Sequence, residues 1–160
     1  MLRFVCEDAD FKIFSSPKPP RSMECYRSIE IEGDNILDNL DEALEEVCKL
    51  GGGTDFPFDY LEKIIKEKVH VDTFVILSDM MISPGRGEMN DMNSGAQWTV
   101  SSIISEYRNT VNPNMLFVTI DLVGHGRNIL GAELEDDFRN VLISGYSDSI
   151  LRLVSELQTS

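Results

Sequence analysis

The sequence predicts an α/β protein with an open, mostly parallel, doubly wound sheet and helices on both faces. Two nearly continuous apolar runs, "DTFVILSD" and "MLFVTIDLVG", are typical of strands that are buried on both faces of a parallel sheet. Amphipathic segments separate these runs, and such alternation favours a sheet covered on both sides. The length of 160 residues matches a single domain, residues 1–160.

Four amphipathic segments predict the helices. The first begins at Asp34 or Asn35 and extends to about Leu50. Its apolar residues recur at helical spacing: Ile36, Leu37, Leu40, Leu44 and Val47. The second spans about Pro57 to Lys68, with proline suited to its first turn. A third spans about Ala96 to Asn109, and Ser147 can cap the last. We expect their apolar faces to cover the sheet.

Shorter patterns predict the remaining elements. "LRFVCEDADFKIF" indicates two short strands around an acidic turn, and "YRSIEIEG" indicates an edge strand. "NVLISG" predicts a third short strand of the parallel sheet. The segment "MMISPGRGEMNDMNSG" predicts a long loop, which is usually a functional feature.

The composition excludes several classes of function. The net charge of -14 argues against a nucleic-acid surface, which needs clustered Lys and Arg, and is compatible with a cation site or a basic partner. No stretch approaches the roughly 18 apolar residues of a membrane span. Three cysteines without CxxC spacing predict reduced thiols, and no signal-peptide pattern is seen, so we expect a cytoplasmic protein.

The glycine-rich stretch "GGGTD" has three interpretations. A phosphate cradle normally follows a strand and ends in Gly-Lys, whereas Thr54 and Asp55 stand at that place here, after a helix. A plain turn between two helices is the second interpretation. In the third, the glycines allow a tight turn that presents an oxygen ligand to a metal ion.

Asp79 supports the third interpretation, because it follows a predicted buried strand as the chain leaves the sheet. Hydroxyl and carboxylate oxygens from Thr54, Asp55 and Asp79 suit Mg²⁺ or another divalent cation. The alternative is that Asp79 caps a turn, where Asp is common. His125 lies past another strand end, where a loop residue is the expected role and a ligand or base the alternative.

Thr54 in "GGGTD" and Asp79 in "VDTFVILSD" together make the chain similar to the von Willebrand factor A (vWA) family. Within that family it most resembles the A domain of the Ro autoantigen and related TROVE-type ribonucleoproteins. The closing stretch "DDFRNVLISGYSDSILRLVSEL" extends the resemblance over nearly the whole chain. The resemblance implies a Rossmann-like, vWA-like fold with a metal-ion-dependent adhesion site at the carboxyl edge of the sheet.

The resemblance also implies a function. It indicates a binding module, not an enzyme, that engages a protein partner at this edge, and RNA only indirectly through a helical-repeat domain absent here. We expect partner contacts at Met80, Met81, Arg86 and His125. The alternative function is a metal-assisted hydrolase that uses Asp79 and nearby acidic residues.

The chain departs from the family pattern in one respect. The family takes further metal ligands from an Asp-x-Ser-x-Ser motif after its first strand, and this motif does not occur here. We therefore expect a domain that lacks its amino-terminal strand and first helix. Its metal site would be partial until an upstream segment or another chain donates a strand.

Overall fold

The computed structural model describes residues 8–16, 25–30, 36–82, 98–126, 129–130 and 136–145, with single positions at 134, 147, 149–150, 152–153 and 156. The elements in order are β1 (Phe11–Phe14), β2 (Tyr26–Ile29), α1 (Ile36–Val47), α2 (Phe58–Glu67), β3 (Thr73–Ser78), α3 (Val100–Thr110), β4 (Leu116–Asp121) and β5 (Asn140–Ser144). Across these residues, no helix has the length and apolar character needed to cross a membrane.

A three-stranded parallel sheet lies at the centre of the described structure. Its strand order is β3-β4-β5, so β4 is hydrogen-bonded on both sides. Thr73 of β3 is level with Leu116 of β4, and Phe117 of β4 is level with Asn140 of β5. The mixed α/β class and the parallel pairing of the apolar runs are therefore confirmed.

The amino-terminal strands form a separate two-stranded sheet. β1 and β2 pair antiparallel, with Phe11 opposite Ile29 and Phe14 opposite Tyr26. The edge strand expected in "YRSIEIEG" is thus present. The strand expected in "LRFVC" falls on residues 1–7, outside the described part of the chain. Among the described residues, no pairing joins this hairpin to the parallel sheet.

Buried side chains lie on both faces of the parallel sheet. The larger core lies on the face covered by α2 and α3, where Leu61 and Tyr107 are buried with Phe117. The Phe74 and Phe117 rings stack there at a centroid distance of 5.9 Å. On the other face, Ile150 packs against Val118 and Ile120. Burial of these side chains supplies the main driving force for folding.

The third helix begins later than its sequence pattern predicts. Thr99 is the N-cap of α3, and its Oγ1 accepts a hydrogen bond from the Ser102 N–H at 3.1 Å. In return, the Ser102 Oγ accepts one from the Thr99 N–H at 2.9 Å. This reciprocal capping satisfies donors that the first helical turn leaves free, so the helix starts at Val100 and not near Ala96.

Two apolar patterns are less buried than the sequence predicts. In β3 only Ile76 is buried, and Leu77 is 41% exposed, whereas five of the six β4 residues are buried. The cause is that β3 has a neighbouring strand on one side only in the described structure. In α1, the side chains of Leu40, Leu44 and Val47 are about half exposed.

A buried arginine ties α3 to the amino end of the sheet. Arg108 is buried, and its Nε donates to the Met115 carbonyl at 3.0 Å. Its Nη2 donates to the Asn140 side chain at 2.9 Å, and its Nη1 lies 3.4 Å from the Asp137 carboxylate. Asp137 also accepts from the Arg139 Nε at 2.8 Å. A buried charge needs such partners, because an unpaired one is strongly destabilising.

We predict that Asp137 makes the free energy of unfolding depend on pH in the acidic range. The hydrogen bond from the Arg139 side chain is the main cause that lowers the pKa of Asp137 to about 2. The pKa of an Asp in an unfolded chain is about 3.9, so the ionised side chain stabilises the folded state above that pH. This stabilisation should be lost as the pH falls through the folded-state value.

Urea unfolding of the wild type, Asp137→Asn and Asp136→Asn between pH 7 and pH 2 measures this effect. Asp136→Asn removes the same charge from an exposed neighbour and is the matched control. The difference between the wild type and Asp137→Asn should shrink as the pH drops below about 4. A difference that stays constant over this range would contradict the assignment.

Candidate functional site

Polar side chains end all three parallel strands at the carboxyl edge of the sheet. Ser78 of β3 is level with Asp121 of β4, and Asp121 is level with Ser144 of β5. Asp79 follows Ser78 directly, and His125 lies in the loop after β4. Ligands of open α/β sheets bind at this edge, so it is the candidate site.

The carboxylate of Asp121 organises the loop that follows β4. The side chain is completely buried. Its Oδ1 accepts hydrogen bonds from the N–H groups of Val123 at 3.1 Å and Gly124 at 3.0 Å. Its Oδ2 accepts one from the Gly126 N–H at 2.7 Å. Gly124 and Gly126 both have positive φ, a conformation that glycine adopts without steric cost.

These hydrogen bonds determine the protonation state of Asp121. Burial alone acts to raise the pKa of the carboxyl group. The N–H groups of Gly126, Gly124 and Val123, together with the charge of His125, outweigh that effect, so the pKa of Asp121 is lowered. Both oxygens are engaged with the backbone, and Asp121 therefore acts as a structural anion that shapes the edge.

Asp79 differs from Asp121 in its surroundings. Its side chain is exposed, and its Oδ1 accepts a hydrogen bond from the Met81 N–H at 3.0 Å. The Ser78 Oγ lies 3.4 Å from the same oxygen and accepts from the Met80 N–H at 3.2 Å. Asp79 thus caps a turn, as the alternative interpretation expects, and it still presents a carboxylate to solvent.

The glycine-rich loop is fixed against the carboxyl end of β1. The Ser16 N–H donates to the Gly53 carbonyl at 2.9 Å, and the Gly51 N–H donates to the Ser16 carbonyl at 2.7 Å. A Cβ atom at Gly53 would collide with the Ser16 Oγ. A side chain at this position would therefore require the Ser16 hydroxyl to rotate away. Thr54 and Asp55 follow the loop and are partly buried.

Thr54 and Asp79 lie on different segments of the described chain. Thr54 precedes α2, residues 68–72 connect α2 to β3, and Asp79 follows β3. Among the described residues, no hydrogen bond joins Thr54 or Asp55 to Asp79. No group of three His, Cys, Asp or Glu side chains there is arranged to hold a metal ion.

The residues predicted to contact a partner have different environments. Met80 has a φ of 56° and is only 2% exposed, because its side chain belongs to the main core. It therefore offers no contact surface, which corrects the prediction for this residue. Met81 is 56% exposed, and His125 is exposed. Arg86, with the long loop after Ile82, lies outside the described residues.

Asp121 is the residue of this edge that the sequence analysis missed. Its position at the end of an apolar strand could be predicted from the sequence, as could that of Asp79 one residue after β3. Its structural role depends on the conformation of the loop of residues 122–126, which the sequence pattern does not give.

Comparisons with known proteins found no relative of this chain. No model of a protein family matches the sequence, and no similar protein was found among curated proteins or solved structures.

We predict that Asp121→Asn loosens the loop of residues 122–126. The Asn Oδ1 can still accept from Val123 and Gly124, but its NH₂ group would face the Gly126 N–H, and two donors cannot pair. The urea midpoint should fall, and the Gly126 amide should exchange with solvent several-fold faster.

The stabilisation that Asp121 contributes depends on pH in a defined direction. Because the pKa of Asp121 is lowered on folding, its stabilisation is complete above the unfolded-state value of about 3.9 and lost at lower pH. The difference in urea midpoint between the wild type and Asp121→Asn should therefore disappear at low pH. Equal exchange rates of the Gly126 amide in both proteins at neutral pH would disprove the role of Asp121.

Proposed function

We propose that the chain is a non-enzymatic binding module with a vWA-like, doubly wound, Rossmann-like fold of the Ro/TROVE type. It engages a protein partner at a partial metal-ion-dependent adhesion site, where Thr54, Asp55 and Asp79 supply oxygen ligands to Mg²⁺ or another divalent cation. The proposal combines the resemblance in sequence with the position of Asp79 at the carboxyl edge of a parallel sheet.

The exposed carboxylate of Asp79 is the observation that carries the proposal. Of the two carboxylates at this edge of the described sheet, Asp121 has both oxygens bonded to backbone N–H groups. Asp79 has one backbone bond and remains open to solvent. A hard cation retains several waters and needs only a few protein oxygens, so an open carboxylate suits it.

Exposed apolar side chains beside Asp79 support a protein partner. Met81 follows it in sequence, and the exposed Leu122 donates its N–H to the Ser78 carbonyl at 2.9 Å. Val123 is exposed next to Leu122. Protein interfaces combine an apolar core with a polar rim, so this exposed apolar cluster beside a carboxylate suits a protein partner.

In the described part of the chain β3 is paired on one side only, which supports the donation of a strand. The Asp72 and Ser78 carbonyls accept from the Leu116 and Leu122 N–H groups of β4. Backbone groups alternate in direction along a parallel strand, so the N–H groups of Val75 and Leu77 point away from β4. We propose that a strand from outside these 160 residues pairs here and brings the missing Asp-x-Ser-x-Ser ligands.

We predict that Mg²⁺ stabilises the protein through Asp79. Binding to the folded state alone adds about 1.4 kcal/mol at a concentration ten times the Kd. Thermal unfolding with and without Mg²⁺ should show this gain in the wild type, and Asp79→Asn and Thr54→Val should reduce it. Asp72→Asn is the matched control, because it removes an exposed carboxylate from the opposite end of β3.

Equal responses of Asp79→Asn and Asp72→Asn would mean that Mg²⁺ only screens the net charge of -14, and would refute the site. The same proteins should be tested with phosphoester substrates. Turnover that requires Mg²⁺ and disappears in Asp79→Asn would favour the metal-assisted hydrolase instead.

We also predict an exchange pattern along β3. In the isolated chain, the Val75 and Leu77 amides should exchange with solvent at least about tenfold faster than those of Phe74 and Ile76, which face β4. A peptide with an apolar strand followed by Asp-x-Ser-x-Ser should protect Val75 and Leu77 and strengthen Mg²⁺ binding. Uniform protection of all four amides without the peptide would contradict an open edge.

A further inference from the structure

The outward face of α1 carries an apolar stripe that the described structure does not cover. Leu40, Leu44 and Val47 recur at helical spacing and are 50%, 53% and 46% exposed. α1 contacts the β1–β2 hairpin, and the partly buried Ala43 lies on a neighbouring side of the helix. Among the described side chains of α1, the apolar stripe is therefore more exposed than Ala43 beside it.

The charges beside this stripe have one sign. α1 contains five acidic residues and no basic residue between Ile36 and Val47. Successive helical residues are rotated by about 100°, so Asp41 borders the stripe beside Leu44, whereas Glu45 lies farther round the helix. Glu42 falls on the side opposite the stripe. All three acidic side chains are exposed.

We propose that this face of α1 docks an amphipathic helix of another protein, with apolar residues at matching spacing and Lys or Arg beside them. An apolar stripe of this kind pairs with a complementary helix in the helix-in-groove manner. The acidic border selects the occupant. A second copy of the chain would bring Asp41 against its equivalent in a helix that has no basic residue, and like charges at close range repel. The surface uses none of the residues of the proposed metal-binding edge.

The experiment uses the full chain and two synthetic peptides of about 20 residues, long enough to form a helix on binding. Both have leucines at matching positions, and one carries Lys and Arg beside them where the other carries Glu. Fluorescence anisotropy should show that the basic peptide binds and the acidic peptide does not. Binding of both peptides equally, or of neither, would overturn the proposal.

Leu44→Asp distinguishes docking on the stripe from general attraction to an acidic protein. The substitution makes the chain more negative, so attraction by net charge alone would strengthen binding of the basic peptide. Docking on the stripe predicts the opposite, a loss of affinity of about tenfold or more, because an apolar contact is replaced by a buried charge. Unchanged or tighter binding would refute the docking surface.

A pair of charge variants provides the matched control and does not depend on how Leu44→Asp folds. Asp41→Asn and Glu42→Gln each remove one exposed negative charge from α1. At low salt, Asp41→Asn should weaken binding of the basic peptide about two- to fivefold, and Glu42→Gln should leave it unchanged. Equal effects would overturn the proposal. The proposal would also be overturned if the chain formed a dimer that Leu44→Asp dissociates, because the stripe would then dock a second copy.

Discussion

The pairing of β4 with a strand on each side is the interaction on which the rest of the described fold depends. Its register brings Ser78, Asp121 and Ser144 level at one edge, which defines the candidate site. The two faces of the same strand also organise the core. Phe117 packs under α2 and α3, and Val118 and Ile120 pack under Ile150. Buried clusters on both faces of the sheet therefore share one central strand.

The sequence predicted the strands well and the extent of their burial less well. The run "LFVTID" is buried as expected, but "TFVILS" has the same character and only Ile76 of it is buried. Hydropathy reports which side chains prefer an apolar environment. It carries no information about whether a backbone has a hydrogen-bonded neighbour on each side, which depends on pairing with distant segments. The half-exposed stripe of α1 has the same explanation, because periodicity predicts an apolar face and not what covers it.

The candidate site was likewise predicted only in part. The position of Asp79 at a strand end could be predicted, because an abrupt change from apolar to polar residues marks the edge of a sheet. The role of Asp121 could not be separated from that of Asp79, since the difference lies in backbone N–H groups that every loop possesses. Only the conformation of the loop, with positive φ at Gly124 and Gly126, aims three of them at one carboxylate. The burial of Met80 likewise depends on its positive φ.

The distribution of charge connects the two proposed surfaces. At the amino end of the sheet, Arg108 and Arg139 balance Asp137. At the carboxyl end, backbone dipoles balance Asp121. Asp79 and the exposed carboxylates of α1 have no comparable compensation among the described residues, in a chain with a net charge of -14. Repulsion among such groups raises the free energy of the compact state. A cation at the sheet edge and a basic helix on α1 would each reduce this repulsion. The negative charge that destabilises the isolated chain therefore favours binding of these two ligands.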